Sequence, residues 1–150
     1  MYKHLVGLLV LALTLGGQTL WAGGTAPEAE EMVQKGLDFI KANGKEKAVE
    51  AFSNPTGEFV KGDLYLFIVE NQGLTLAHGG NPKLIGKNMA ELKDANGKLF
   101  IKEMIDLAQT GGGWVDYKWT NPETKKVQDK STFVKPIEGM QAFLGCGIYK

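Results

Sequence analysis

The chain has 150 residues, of which 43% are hydrophobic and 23% charged, the proportions of one soluble domain rather than of a disordered segment, a coiled coil or a multispan membrane protein. Seventeen basic residues balance seventeen acidic ones, so no net positive field exists to hold nucleic acid. Every basic residue is lysine, which removes forked arginine recognition of carboxylate or phosphate, and the single cysteine, Cys146, excludes an internal disulfide and a thiolate metal cluster.

Lys3 precedes an apolar run from Leu5 to Leu15, followed by Gly16, Gly17 and a small-residue site near Ala22. This pattern predicts an export signal over residues 1–22 and a diffusible periplasmic domain over 23–150; a retained anchor is the alternative. The loss of the leader takes His4 with it, so His78 is the one remaining histidine and zinc sites built on several His or Cys ligands are excluded.

Thr25 with Glu28 three residues on predicts a capped helix carrying Ala29, Met32, Val33, Gly36, Leu37 and Ile40, stopped at Asn43-Gly44. Phe39 lies off that stripe and suggests a second apolar contact, read as weak self-association. A short helix follows from Lys45 to Phe52. The period then changes. Leu64 to Val69 is apolar at both parities, as a strand covered on both faces requires, and Asn71-Gln72-Gly73 turns it into a second strand ending at His78. After a turn-rich stretch come a helical turn at Asn88 to Leu92, a turn at Asp94 to Gly97, and a third helix marked by Phe100, Ile101, Met104, Ile105 and Ala108. Three strands finish the chain, at Trp114 to Thr120, Val127 to Lys135 and Met140 to Tyr149. The prediction is an α+β, PAS-like fold: a five-stranded antiparallel sheet, a long N-terminal helix, and helices packed on one side.

Few residues here can carry chemistry. Alternation puts Val115, Tyr117 and Trp119 on one face of their strand, read as inward. On the next strand Lys130, Thr132 and Val134 share one face and Ser131 and Phe133 the other, and spacing alone leaves open which faces the pocket. An inward Lys130 would place an ammonium against Tyr117 and Trp119, where it needs an anion; the bland alternative is a solvated lysine. His78, ahead of Gly79-Gly80, can donate to a carboxylate or be satisfied by a backbone carbonyl. Cys146 alternates with Leu144 and Ile148 and reads as a buried, inert thiol. Asp94-Ala95-Asn96-Gly97-Lys98 starts like a calcium loop but carries Lys98 and Leu99 where a ligand and the glycine belong, so it reads as a turn. No motif calls for a cofactor.

Taken together, Gly62 to Phe67, Leu76 to Gly79, Leu84 to Asn88, Lys93 to Lys98, Gly112 to Trp119, Lys130 to Phe133 and Gly145 to Tyr149 resemble the single Cache domains of the second type, extracytoplasmic PAS-like sensor modules. The resemblance implies a pocket on the sheet face for a small ligand, often an organic acid, with His78, Tyr117, Trp119, Lys130 and Thr132 as ligand-binding residues. It also implies signal transduction through a membrane sensor protein, here a separate partner because no further segment follows Lys150, and no catalysis. Two alternatives stand beside it: a helix-mediated dimeric interaction protein with a vestigial pocket, and an enzyme using His78.

Overall fold

A computed structural model of the chain describes residues 23–150, so the leader expected over residues 1–22 lies outside the described residues. Helix α1 (Ala26–Asn43) opens with the predicted capping box: the Glu28 carboxylate accepts from the Thr25 N–H at 2.9 Å and from its hydroxyl at 3.0 Å. These bonds, with Lys61 beside it, hold Glu28 down at about 2. Gly44, at φ 87°, ends the helix by donating to the Ile40 carbonyl, and α2 (Lys45–Phe52) starts there.

The strands are β1 (Val60–Lys61), β2 (Leu64–Glu70), β3 (Thr75–His78), β4 (Gly113–Thr120), β5 (Val127–Pro136) and β6 (Ala142–Tyr149), with α3 (Phe100–Gln109) between β3 and β4. All pair antiparallel in the order β1-β2-β6-β5-β4, and β3 pairs with β2 on the edge away from β6. The five long strands are those the sequence predicts; β1 is too short to leave a periodic signal.

Two apolar clusters sandwich the sheet, and strand parity sorts residues between them. Leu64, Leu66 and Ile68 of β2 join Leu144 and Cys146 of β6 under Ala29, Val33 and Ile40 of α1 and Phe52 of α2. Tyr65, Phe67 and Val69 face the other way, toward Phe100, Ile101, Met104 and Ala108 of α3. The expectation that the helices share one side therefore holds for α1 and α2 only; α3 covers the opposite face. Burial on both sides explains why β2 is apolar at every position from Leu64 to Val69. The helical turn expected at Asn88 to Leu92 is a bridge from Asn88 to Leu74 followed by a plain turn, and the single short helical turn of this stretch is 3-10, at Pro82–Leu84. Phe39, read as a self-association contact, meets Phe52 and Phe59 of its own chain at centroid distances of 5.9 and 5.2 Å. The α2 segment supplies the missing contact, so Phe39 gives no reason for a dimer.

The Asp94 turn has a structural task. Its carboxylate accepts from the N–H groups of Asn96 and Lys98, each at 2.9 Å, and its other oxygen takes the Lys118 N–H at 2.9 Å, a donor that outermost strand β4 would otherwise leave unpaired. Desolvation works against the anion, but the three N–H donors outweigh it and Asp94 stays below the usual carboxylate range. Asp94→Ala should destabilise the domain by about 1–2 kcal/mol in chemical denaturation and speed hydrogen exchange at the Lys98 and Lys118 amides. Unchanged exchange at Lys118 would show that the loop does not hold the strand.

Candidate functional site

The register left open by the sequence is set by the β4–β5 ladder, in which Tyr117 stands opposite Lys130 and Val115 opposite Thr132. That pairing turns Lys130, Thr132 and Val134 to the α3 face, together with Tyr117 and Trp119. Lys130 is 1% exposed, as deeply buried as the core aromatics. Its Nζ donates to Tyr65 Oη at 2.6 Å and lies over the rings of Tyr65 at 4.2 Å, Tyr149 at 4.7 Å and Tyr117 at 6.0 Å.

Two of these tyrosines, Tyr65 and Tyr149, form an ordered chain. Tyr149 donates to the Thr120 carbonyl at 2.9 Å, which leaves its oxygen to accept from Tyr65 at 3.3 Å and the Tyr65 oxygen to accept from Lys130. Tyr117 and Thr132 share a hydroxyl–hydroxyl bond of 3.0 Å. Burial pushes all three phenols up: Tyr65 and Tyr117 are beyond reach of ordinary titration, and Tyr149 rises as well. Among the described residues no carboxylate forms an ion pair with Lys130.

Room for the lysine comes from glycine. A Cβ at Gly147 would run into Thr132 Oγ1 and Lys130 Cε, and one at Gly145 would meet the Phe67 ring at 2.5 Å. The α3 face of β6 is thus Phe143, Gly145, Gly147 and Tyr149, two aromatics separated by two gaps that neighbouring side chains fill. Gly147→Ala should cost about 1–3 kcal/mol by overpacking, read by urea denaturation. A neutral effect would mean that Lys130 can leave its place freely.

His78, at the end of β3, stacks on Phe67 (5.6 Å between ring centres, 21°) and lies 5.0 Å from the Tyr65 ring. Its Nδ1 accepts from the Asn81 N–H at 2.9 Å, so on that side the backbone satisfies the ring through an N–H rather than through the carbonyl considered from the sequence. With Nδ1 an acceptor, the neutral ring carries its proton on Nε2. Desolvation, and then the charge of Lys130, bring His78 down to about 3.

Tyr65, Phe67, His78, Met89, Phe100, Tyr117 and Trp119 enclose a cavity of about 10 Å³, roughly the space of one water. Phe100 lies flat on Tyr117, with centroids 4.6 Å apart at 7°. Lys130 is outside this wall, behind Tyr65 and Tyr117, and together with Tyr117 it also lines an outer groove of about 300 Å³. The rim of that groove carries the pairs Lys118–Asp129 at 2.6 Å and Lys150–Asp116 at 3.0 Å. The five residues singled out from the sequence, His78, Tyr117, Trp119, Lys130 and Thr132, are thus gathered on one face of the sheet. Tyr65, Tyr149, Gly147 and Phe100 belong to the same cluster and were not singled out.

Cys146 is buried on the opposite face, under Met32, with its thiol pushed up to about 12 by desolvation; it is an inert core residue, as expected.

An antiparallel sheet with a long helix across one face and a small aromatic cavity under the other is the architecture of a PAS-like sensor domain. The chain belongs to the single Cache domain 2 family, whose model matches residues 28–150. Domains of this family are extracytoplasmic sensors of signal-transduction proteins. The chain is 33% identical over 87 residues to the sensor histidine kinase MctS of Rhizobium johnstonii and 27% identical over 88 residues to the methyl-accepting chemotaxis protein McpP of Pseudomonas putida. Each match covers 58% of this chain but only 19% and 16% of those longer proteins. A methyl-accepting chemotaxis protein structure from Vibrio parahaemolyticus is 29% identical with a TM-score of 0.73, over 82% of this chain and 86% of that one. A Cache chemosensory domain described for its carboxylic acid recognition has the same fold at 23% identity and a TM-score of 0.64, over 80% of this chain and 84% of that one. Among the described residues no helix is long and apolar enough to cross a membrane.

Proposed function

We propose that this domain is a periplasmic sensor for a small monocarboxylate, held by Lys130 with help from His78, Tyr117, Trp119, Thr132 and the tyrosines behind them. The observation that carries the reading is Lys130 itself: a buried amine caged by three tyrosines, with no carboxylate paired to it among the described residues. A charge kept in such a place is costly unless a ligand of opposite sign completes it. One cation offsets one anion. A dicarboxylate would leave its second charge buried against His78, which is neutral, and against phenols. The cavity is too small for any organic acid as it stands, so binding requires the aromatic wall of Phe100, Tyr117 and Trp119 to part, which favours short ligands. The carboxylic acid recognition described for the Cache chemosensory domain of the same fold supports this reading.

Residues 1–22 serve in this reading as an export leader cleaved near Ala22. The domain acts without catalysis: a histidine held near 3 is a poor base at neutral pH, and its Nδ1 is already occupied. Kinship with a sensor kinase and a chemoreceptor supports transmission to a membrane sensor protein.

A thermal-shift screen of two- to four-carbon monocarboxylates, matched dicarboxylates, amines and neutral sugars tests the proposal. At about 100 times Kd a monocarboxylate should stabilise the fold by roughly 2.7 kcal/mol, a rise of several degrees in Tm. Lys130→Met should erase the shift, and Lys118→Met, on the groove rim, should keep it. A shift that survives Lys130→Met, or that dicarboxylates give more strongly, would overturn the assignment.

A further inference from the structure

Every group that faces the Lys130 amine is neutral or engaged elsewhere. From β2 comes the Tyr65 hydroxyl and from β6 that of Tyr149, bound in the directed chain that ends on the Thr120 carbonyl. From β4 comes Tyr117, bonded to Thr132 of β5. From β3 comes His78, neutral with its Nδ1 filled. Cys146 of β6 lies across the sheet as a protonated thiol. Asp63, ahead of β2, is the carboxylate whose charge favours the ammonium, but it is committed to the Gly24 N–H at 2.8 Å. On the groove side, Asp129 is matched by Lys118, Asp116 by Lys150, and Asp94 by three backbone donors and the nearby Lys98.

We propose that the site takes up its carboxylate together with a proton, Lys130 being an uncharged amine in the free protein at mildly alkaline pH and an ammonium in the complex. This rests on the reading of Lys130 as the carboxylate's partner. Tyrosine faces and one phenolic oxygen stabilise a cation only partly, and desolvation brings the amine down to about 7. A carboxylate arriving at Nζ supplies the full counter-charge that the fold omits, and moves the amine back up. Linkage then requires proton uptake at every pH between the free and bound values, so affinity falls as pH rises through that window. The sensor would report carboxylate and acidity together, responding to the same concentration more strongly at pH 6 than at pH 8.

Isothermal titration with acetate and propionate as probes, in buffers of different ionisation enthalpy, reads the proton directly. Uptake should be about 0.9 proton per ligand at pH 8 and about 0.1 at pH 6, with Kd weakening about tenfold between them. In ¹³Cε-lysine NMR, one resonance, identified by its absence in Lys130→Met, should titrate near neutrality in the free protein and remain that of an ammonium past about pH 9 with saturating acetate. Binding with buffer-independent heats and a flat Kd, or a Lys130 resonance that titrates with the other lysines, would overturn the proton coupling and leave the carboxylate site standing. Absence of binding by both probes at pH 6 would overturn the site and the coupling together.

Discussion

Lys130→Met should make the protein more stable, by about 2–3 kcal/mol at pH 7 and on the order of 10 °C in Tm, although it removes the residue proposed to hold the carboxylate. Lysine titrates at 10.5 in the unfolded chain and at about 7 in the fold, a gap that corresponds to about 5 kcal/mol of unfavourable burial at neutral pH. Methionine keeps the stem's bulk beside Gly147 and drops the amine. Part of the gain is offset, because Tyr65 loses a partner and the rings of Tyr65 and Tyr149 lose a cation. The pH profile carries the signature. Between about 7 and 10.5 the unfolded chain binds more protons at this position than the fold does, so parent stability rises with pH there. Cys146 and the three tyrosines act in the opposite sense above about 9, since the fold holds their protons longer than the unfolded chain does. The parent should therefore be most stable near pH 9, and Lys130→Met should be flat from 7 to 9 before it falls. Urea denaturation across this range decides it. A variant less stable than the parent at pH 7 would mean that the ammonium is well solvated or paired in the fold.

Strand parity and helix stripes were legible because they depend only on the residue's own chain neighbours. The inward set Val115, Tyr117 and Trp119 follows from alternation alone, and the capping box from four consecutive residues. The partner of each face was not legible. An amphipathic stripe shows which side of α3 is buried, but not which side of the sheet receives it, and that depends on how the segment from Gly79 to Leu99 crosses an edge. Lys130 and Ser131 were equally polar candidates until the ladder fixed Tyr117 opposite Lys130, a matter of the turn between β4 and β5. Lys125, the single non-glycine residue at positive φ (61°) among the described residues, sits in that turn, and the Asn121 carboxamide oxygen accepts the Glu123 N–H within it.

The rest of the site was hidden by context rather than by register. Tyr65 stands in a run that is apolar on both faces, and nothing there distinguishes a phenol that holds an amine from one more core aromatic. Gly147 looks like punctuation in Gly145-Cys146-Gly147, yet its task is to be small where Lys130 and Thr132 need room. Phe39 off the α1 stripe was a true signal of a second contact. Its partners, Phe52 and Phe59, are on segments whose return across the helix is a tertiary fact.

His78→Asn should reverse the order of stability between neutral and acid pH. At pH 7 the variant loses the stack on Phe67 and the contact with Tyr65 and should be less stable by about 1–2 kcal/mol. Asparagine can offer its carboxamide oxygen where Nδ1 accepted the Asn81 N–H, so that backbone donor keeps a partner. On acidification the parent meets a penalty that the variant lacks. Histidine in the unfolded chain titrates at 6.5 but at about 3 when buried here, so below 6.5 the unfolded state binds the additional proton and the fold loses stability until pH falls to about 3. The full gap corresponds to about 5 kcal/mol, and roughly half of it is already present near pH 5 to 4.5. Asp94, Asp116 and Glu28 also lose stabilising contacts as they are protonated, but they do so equally in both proteins and cancel in the difference. The two stability curves should therefore cross between about pH 6 and 5, with the variant unfolding at the lower pH in an acid titration followed by tryptophan fluorescence. Parallel curves, or a His78 ring proton whose NMR shift titrates near 6.5 in the folded protein, would show that the imidazole is reached by water and does not form a dry wall of the cavity.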